Sequence, residues 1–401
     1  MGTSLNSSYL FRHALTMAVD AMKTFFTILI TFTFLYAPTA FAEDIEALKK
    51  QLDASPESLK TRQSLAKAYL ESEKPELAIE VLKPKLENLN AEGLLLLAKS
   101  FENTKDALNE QKTLEQLTVN FPQFVAGFVA FGDFYFRSSQ AKSDPKLILN
   151  SASNFRSAIE LNAGYRPAYD GLMKVYEFSK NWYEVRVLLG DMVLRFGKRP
   201  DLLGKLCQRN TLDGFFVSAR KFCLEAIGVD GKNPDNYVYL SLVENNEGNI
   251  KKAESILKMV TTKFPKSEFA LSNYGDFLIQ QKNLPSAQKS YQAAVQAEPK
   301  GFRAQIGLAK TSFELKKYEL ALEAYKEACS LRPHTSYRLV KRASDWLRHR
   351  KEVDLQAKYS SLLDKCMGTG EDTRSPANSK DDYRSPFATH SKNKIPEATG
   401  F

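Results

Sequence analysis

Residues 274–299 read YGDFLIQQKNLPSAQKSYQAAVQAEP, and small residues in this stretch stand at fixed distances from large ones. Gly275 precedes Leu278 by three positions, and Ala287 precedes Tyr291 by four. Residues three or four apart share one face of a helix, so the pattern predicts two amphipathic helices. Glycine and alanine at their crossing let two helix backbones approach closely, and Pro299 ends the second helix.

The same pattern recurs at a constant interval along the chain. Counting forward from Gly275 reaches Ala309, and counting back by the same interval reaches Ser241 and then Cys207. The prolines that close the second helices keep this spacing, at Pro265, Pro299 and Pro333. A period of this length predicts stacked helix pairs, each covering an apolar face of its neighbour.

These residues resemble the tetratricopeptide repeat, whose unit is two antiparallel helices in about 34 residues. The resemblance implies an all-α fold, a right-handed α-solenoid of helix-turn-helix repeats. Eight repeats are predicted over residues 59–335, and the pattern is less regular toward the N-terminus. Glu110 and Lys85 stand at positions that should be small, and several residues are inserted between two helices around Ser138 to Pro145.

Both ends of the repeat array are predicted to be capped. Residues 43–58 contain one helix, Ile45 to Leu52, before Ser55 and Pro56. Residues 336–367 continue the period in two more highly charged helices, Tyr337 to His349 and Glu352 to Leu363. From 368 to 401 the composition turns to small and polar residues, which predicts a disordered tail.

Residues 1–42 are interpreted as a secretory signal behind a spurious N-terminal extension. A basic start at Met22-Lys23 precedes an apolar run from Phe25 to Tyr36 and the small residues that end at Ala42. This order is typical of a cleaved signal peptide. It predicts translation from Met22 or Met17, cleavage after Ala42, and a periplasmic or secreted protein. An uncleaved anchor is the alternative.

Composition and motifs argue against catalysis and nucleic-acid binding. The net charge of +9 is modest for 401 residues, and basic residues alternate with acidic ones along most of the chain. No nucleophile motif or glycine-rich phosphate loop is present, and the cysteines and histidines have no metal-ligand spacing. We therefore expect no enzyme activity, cofactor, metal or nucleic-acid partner. An active site assembled from distant repeats is the remaining enzymatic alternative.

Four cysteines remain to be explained. In the repeat frame Cys207 and Cys223 lie on facing helices of one repeat, so they either form a disulfide or serve as two small core residues. Cys329 and Cys366 are expected to stay unpaired.

The family resemblance implies a partner-binding groove on the concave side, lined by the first helix of each repeat. The positions that face the ligand in this family are apolar, amide or basic in the C-terminal repeats. They are Val238, Tyr239, Leu242, Phe269, Asn273, Arg303, Ile306, Lys310, Phe313, Tyr337 and Lys341. Packing between neighbouring first helices is the alternative role for each of them.

The sequence thus predicts a scaffold of the cell envelope that binds a protein or peptide in its groove, favouring apolar anchors with some acidic character. The alternative is a structural subunit that touches a membrane surface through a basic C-terminal cap. That cap surrounds Trp346 with Arg338, Lys341, Arg342, Arg348, His349, Arg350 and Lys351.

Overall fold

The computed structural model describes residues 44–142 and 144–367, and all regular secondary structure in those two ranges is helical. The predicted signal, the N-terminal extension and the C-terminal tail lie outside the described residues. The predicted all-α, repeat-built fold class is confirmed by the succession of paired helices.

The helices follow one another with short connections. In chain order they are α1 (44–54), α2 (Leu59–Glu71), α3 (Pro75–Leu82) with a 3₁₀ segment (Lys83–Asn88), α4 (Ala91–Asn103), α5 (Ala107–Asn120), α6 (Val125–Lys142), α7 (Pro145–Leu161), α8 (Arg166–Phe178), α9 (Trp182–Phe196), α10 (Pro200–Leu212), α11 (Phe216–Val229), α12 (Pro234–Asn246), α13 (Ile250–Lys263), α14 (Glu268–Gln280), α15 (Leu284–Ala297), α16 (Phe302–Glu314), α17 (Tyr318–Leu331), α18 (Pro333–His349) and α19 (Val353–Met367). Even-numbered helices from α2 to α16 open the pairs and are called A helices; their partners are called B helices. From α8 to α17, equivalent helices begin at the constant interval that the sequence predicts.

A left-handed residue ends the A helix in five successive pairs. It is lysine at Lys180, Lys282 and Lys316 and glycine at Gly214 and Gly248, with φ between 56° and 85°. At Lys282 the backbone makes both bonds of a Schellman ending. The Lys282 amide donates to the Ile279 carbonyl, and the Asn283 amide donates to the Leu278 carbonyl, each at 2.9 Å. The periodic turn therefore depends on one positive-φ residue per repeat.

Glycines allow an aromatic ring of a B helix to pack against the backbones of two A helices. A β carbon on Gly275 of α14 would come within 2.7 Å of the Tyr291 ring, and one on Gly307 of α16 would also collide with that ring. Phe155 of α7 has the same relationship to Gly132 and Gly171. These contacts join each pair to the next one, which is why small residues recur with the period.

The irregular repeats are accommodated locally. The residues inserted near Ser138 lengthen α6 and α7 to 18 and 17 residues rather than forming a long loop. Pro84 stands at the point where α3 gives way to the 3₁₀ segment, and Lys85 there reaches Glu57 at 2.6 Å. Glu110 is buried on α5 and pairs with Arg137 of α6.

The chain divides into two compact units, one ending at Val175 and the next beginning at Tyr176, inside α8. The first unit has an apolar core from Ile45 to Phe134. In the second unit a continuous core runs from Cys207 to Cys366.

Two disulfides lie in the second unit. Cys207 of α10 is bonded to Cys223 of α11 with the Cα atoms 4.6 Å apart, within a single repeat. Cys329 of α17 is bonded to Cys366 of α19 with the Cα atoms 5.0 Å apart. The expectation that Cys329 and Cys366 stay unpaired is therefore wrong, because α19 packs directly against α17 and brings the two side chains together.

Candidate functional site

The A helices of the second unit are buried on more than one face. In α12, nine consecutive residues from Asn236 to Glu244 are buried. Each A helix contacts its own B helix and the A helices of neighbouring pairs. A helix surrounded in this way offers little surface to a partner.

This packing removes six of the eleven predicted groove residues from the surface. The buried ones are Val238, Tyr239, Leu242, Asn273, Ile306 and Phe313. They pack between neighbouring helices, which was the alternative role considered for them. Phe269, Arg303, Lys310 and Tyr337 are half-buried and Lys341 is exposed, so these five remain candidates for partner contact.

Arg303 belongs to a polar network between α14 and α16. Its guanidinium donates to the Asn273 side-chain oxygen at 2.8 Å and pairs with the Asp276 carboxylate, which also accepts from the Tyr291 hydroxyl. The guanidinium lies 5.7 Å from the centre of the Phe269 ring. These bonds satisfy the buried carboxylate and hold Arg303 against α14, so its first role is structural.

Two of the buried predicted groove residues, Tyr239 and Phe313, make aromatic contacts with neighbouring helices. The Tyr239 hydroxyl accepts a hydrogen bond from the Gln208 side chain at 2.8 Å. The centre of the Tyr239 ring lies 5.7 Å from the centre of the Phe269 ring. Burial raises the pKa of Tyr239 to about 12. Phe313 meets Trp346 edge-on at 5.4 Å between ring centres. Both rings therefore strengthen contacts between successive repeats.

A small cavity opens beside this packed interior, between α16 and α18, with α17 behind it. Its volume is about 120 Å³. Phe313, Tyr325 and Leu339 supply apolar surface, and Lys310, Glu314 and Arg342 supply charged groups. The cavity is large enough for one side chain or a few water molecules.

The charged groups that line the cavity are two cations, Lys310 and Arg342, and one carboxylate, Glu314. Burial lowers the pKa of Lys310, and the nearby Arg342 guanidinium lowers it further, while Asp276 and Glu314 act in the opposite direction. Burial also raises the pKa of the Tyr325 hydroxyl, which stays neutral. An incoming carboxylate between Lys310 and Arg342 would relieve the repulsion between the two cations.

Sequence reasoning found Lys310 and Phe313 of this cavity but did not assign the other four lining residues to a site. Arg342 was visible as part of the basic stretch around Trp346. Tyr325 was visible as a periodic large residue, although a core position of that kind carries no sign that a cavity lies beside it. Nothing in the sequence marks Glu314 and Leu339 as cavity residues, because their place in the lining depends on how α16 and α18 pack.

The described residues hold no cluster of three or more His, Cys, Asp or Glu side chains able to bind a metal. None of the helices within the described ranges combines the length and the apolar character needed to cross a membrane.

The periodic helix pairs define a repeat protein of the α-solenoid class. Residues 274–334 match the family model described as "Tetratricopeptide repeat", so this segment is similar to the repeats of that family. Repeats of this family generally mediate protein–protein interactions and are typically not catalytic. No curated protein is matched by the sequence.

Several solved structures are similar to this chain at low sequence identity. A tetratricopeptide repeat protein from Parabacteroides merdae is 13% identical, with a TM-score of 0.48, covering 69% of this chain and 99% of its own. YrrB, described as having an unusual peptide-binding site, is 17% identical with a TM-score of 0.36, covering 48% and 95%. The human IFIT1 dimer with m7Gppp-AAAA is 14% identical with a TM-score of 0.40, covering 80% and 81%.

Proposed function

We propose that this protein is a non-catalytic scaffold of the cell envelope that binds an acidic peptide segment of a partner at the α16–α18 cavity. The observation that carries the proposal is the cavity itself, where apolar walls adjoin Lys310 and Arg342. An aliphatic or aromatic residue next to a glutamate or aspartate would use both halves of this surface. Half-buried Tyr337 and exposed Lys341 lie on α18, the helix that supplies Leu339 and Arg342, and offer a further aromatic and a further basic group.

Location outside the cytoplasm is part of the proposal. The two disulfides favour it, because such bonds persist in oxidising compartments and are rare in the cytosol. The signal peptide predicted before Glu43 points the same way, and it lies outside the described residues. Secretion of the chain with loss of residues 1–42, measured by mass spectrometry of the periplasmic fraction, tests this part.

Binding is tested with an array of short peptides that combine apolar and charged residues in all orders. Wild-type protein is expected to select peptides with an acidic residue beside an apolar one. Arg342→Glu should weaken that binding by roughly ten-fold or more, since it places a negative charge where the ligand carboxylate belongs. Lys289→Glu on α15 is the matched control, because Lys289 is exposed and does not line the cavity.

Selection of basic peptides, or equal binding by wild type and Arg342→Glu, would show that the cavity is not the binding site. Circular dichroism of each variant separates lost binding from lost structure.

A second candidate function follows from the cap. Arg338, Arg348, Arg350 and Lys351 are all exposed on or beside α18 and suit an anionic membrane surface. Sedimentation with vesicles containing phosphatidylglycerol should then be lost on charge reversal at Arg348, Arg350 and Lys351. Unchanged sedimentation would exclude this candidate.

A further inference from the structure

Helix α19 supports one wall of the α16–α18 cavity from behind. Three buried residues of α19, Tyr359, Leu362 and Cys366, lie along one of its faces at the helical spacing i, i+3, i+7. The centre of the Tyr359 ring lies 5.7 Å from that of Phe313 and 6.1 Å from that of Tyr325. Phe313 and Tyr325 both line the cavity, so the position of α19 bears directly on its shape.

Helix α18, which forms another wall of the cavity, is held mainly by α17 and α19. Helices α14 and α16 pack directly against each other, whereas the backbones of α16 and α18 come close at few points. Helix α18 instead follows α17 after a single residue, Arg332, and packs extensively against α19. The lining residues Leu339 and Arg342 are therefore placed chiefly by the packing of α18 between α17 and α19.

Two polar contacts join α17 to the first half of α19. The Tyr359 hydroxyl donates to the backbone carbonyl of Tyr318 at 2.8 Å. Lys358 pairs with Glu319 at 2.7 Å, but both side chains are more than half exposed, and exposed ion pairs of this kind contribute little to stability. These contacts leave the second half of α19 to be held in another way.

A disulfide holds that second half of α19. Cys366, in the last turn of the helix, is bonded to Cys329 of α17, and both side chains are buried. Cys329 lies one turn beyond Tyr325 on α17, so the bond is close to a ring that lines the cavity. The side of α19 away from its neighbours is exposed, as at Ala357 and Asp364. A helix covered on one side opens more readily than an enclosed one, so the bond has a local segment to stabilise.

We propose that formation of the Cys329–Cys366 disulfide switches the α16–α18 cavity from a loose form into its binding form. In the oxidised protein the bond holds α19 against α17, with Tyr359 behind the cavity and α18 in place. In the reduced protein the second half of α19 separates from α17, and the walls at Phe313, Tyr325 and α18 loosen. The inference rests on the proposed function for its ligand, a peptide with an apolar and an acidic residue, and adds the condition under which that peptide binds.

Oxidation needs an electron acceptor, and an external disulfide such as oxidised glutathione has the required chemistry. The thiolate of one cysteine attacks a sulfur of glutathione disulfide and releases one glutathione thiolate. The thiolate of the other cysteine attacks the protein sulfur of this mixed disulfide, which forms the Cys329–Cys366 bond and releases the second glutathione thiolate. Two protein thiols thus lose two protons and two electrons, and two glutathione thiols gain them. Since disulfides persist outside the cytosol, the switch couples peptide binding to the export proposed above.

The chain contains four cysteines, so one double variant isolates the switch. Cys207→Ala with Cys223→Ala leaves Cys329 and Cys366 as the remaining pair. The probe is a fluorescein-labelled peptide with a phenylalanine beside a glutamate, and its binding is followed by anisotropy. The full-length variant oxidised with glutathione disulfide should bind this peptide about ten-fold more tightly than the variant reduced with dithiothreitol. Reoxidation should restore the affinity.

The reciprocal variant, Cys329→Ala with Cys366→Ala, keeps the Cys207–Cys223 bond and is the matched control. It should bind the peptide as weakly as the reduced protein, and oxidant should not change its affinity. Equal affinity of the oxidised and reduced forms of the first variant would overturn the proposal. So would wild-type affinity in the reciprocal variant. If the first variant does not fold, oxidised wild type and the reciprocal variant provide the same comparison.

Amide hydrogen exchange tests the switch without any peptide. When Cys207→Ala, Cys223→Ala protein is reduced, α18 and α19 should exchange about ten-fold faster, while α12 keeps its rate. Unchanged exchange in α18 would overturn the switch. Equally fast exchange in α12 would also overturn it, because the loss of structure would then be general. Absence of peptide binding in every form would refute the proposed function, and the exchange rates of α18 would then decide the coupling by themselves.

Discussion

The ring of Tyr291 lies so close to Gly275 that a β carbon on the glycine would sit 2.7 Å from it. Gly275→Ala should therefore lower the free energy of unfolding by about 1–3 kcal/mol, as overpacking in a core does. Gly228→Ala, where the added methyl group meets open space, should raise it by about 0.5–1 kcal/mol. Urea denaturation followed by circular dichroism measures both changes. A loss of stability in both variants would mean that the contact with Tyr291 is not the cause.

The left-handed turn residues give a stabilising prediction. Lys282 and Lys316 adopt φ of 57° and 59°, whereas the equivalent Gly214 and Gly248 adopt this region without a side-chain penalty. Lys282→Gly and Lys316→Gly should each increase the free energy of unfolding by about 1 kcal/mol. Gly248→Ala should reduce it. Thermal denaturation measures these changes. If the two glycine variants were less stable than wild type and Gly248→Ala were more stable, the left-handed geometry of the turns would be contradicted.

Glu110 predicts a pH dependence of stability in the first unit. Burial raises its pKa to about 7, with Glu102 adding to the effect and Arg137 opposing it. The folded protein then binds a proton more tightly than the unfolded chain does, so stability falls as pH rises from about 4.5 to about 7. Glu110→Gln should remove this fall and unfold less readily than wild type above pH 7. The two proteins should converge below pH 5, and denaturation at a series of pH values tests this.

Arg303 predicts a large loss of stability when it is removed alone. The Asp276 carboxylate is 3% exposed and would lose its cationic partner in Arg303→Met. Leaving a buried charge unpaired costs about 3–5 kcal/mol. Asp276→Asn in the same chain removes that charge and should restore part of the loss. An additive double variant would show that the two side chains are not coupled.

The repeat pattern could be predicted from sequence because its contacts are local. Gly275, Tyr291 and their equivalents meet within one pair or the next, so their spacing along the chain carries the geometry. The helix pairs persist at Glu110 and at the insertion near Ser138, although the insertion lengthens the interval between α6 and α8. A pattern that depends on neighbours in sequence survives such local changes.

The candidate site could be predicted only in part, because it depends on distances between repeats. The family frame places Val238 and Ile306 on a groove, but the close approach of adjacent A helices buries them. Lys310 of α16 and Arg342 of α18 line the same cavity, and no single repeat contains both. The bond between Cys329 and Cys366 was missed for the same reason, since it depends on how the last helix folds back on α17.

That bond also changes how the C-terminal end would carry mechanical load. Cys329 and Cys366 are 37 residues apart along the chain and 5.0 Å apart in space. A pulling force transmitted along the backbone would pass through the two sulfur atoms. The segment between the two cysteines, which contains α18, would therefore bear no force. Stretching the oxidised protein between its ends should therefore yield about 120 Å less extension than stretching the reduced protein. A tether fixed beyond α19 would pull on α17 directly, and α18 with its basic side chains would keep its fold under tension.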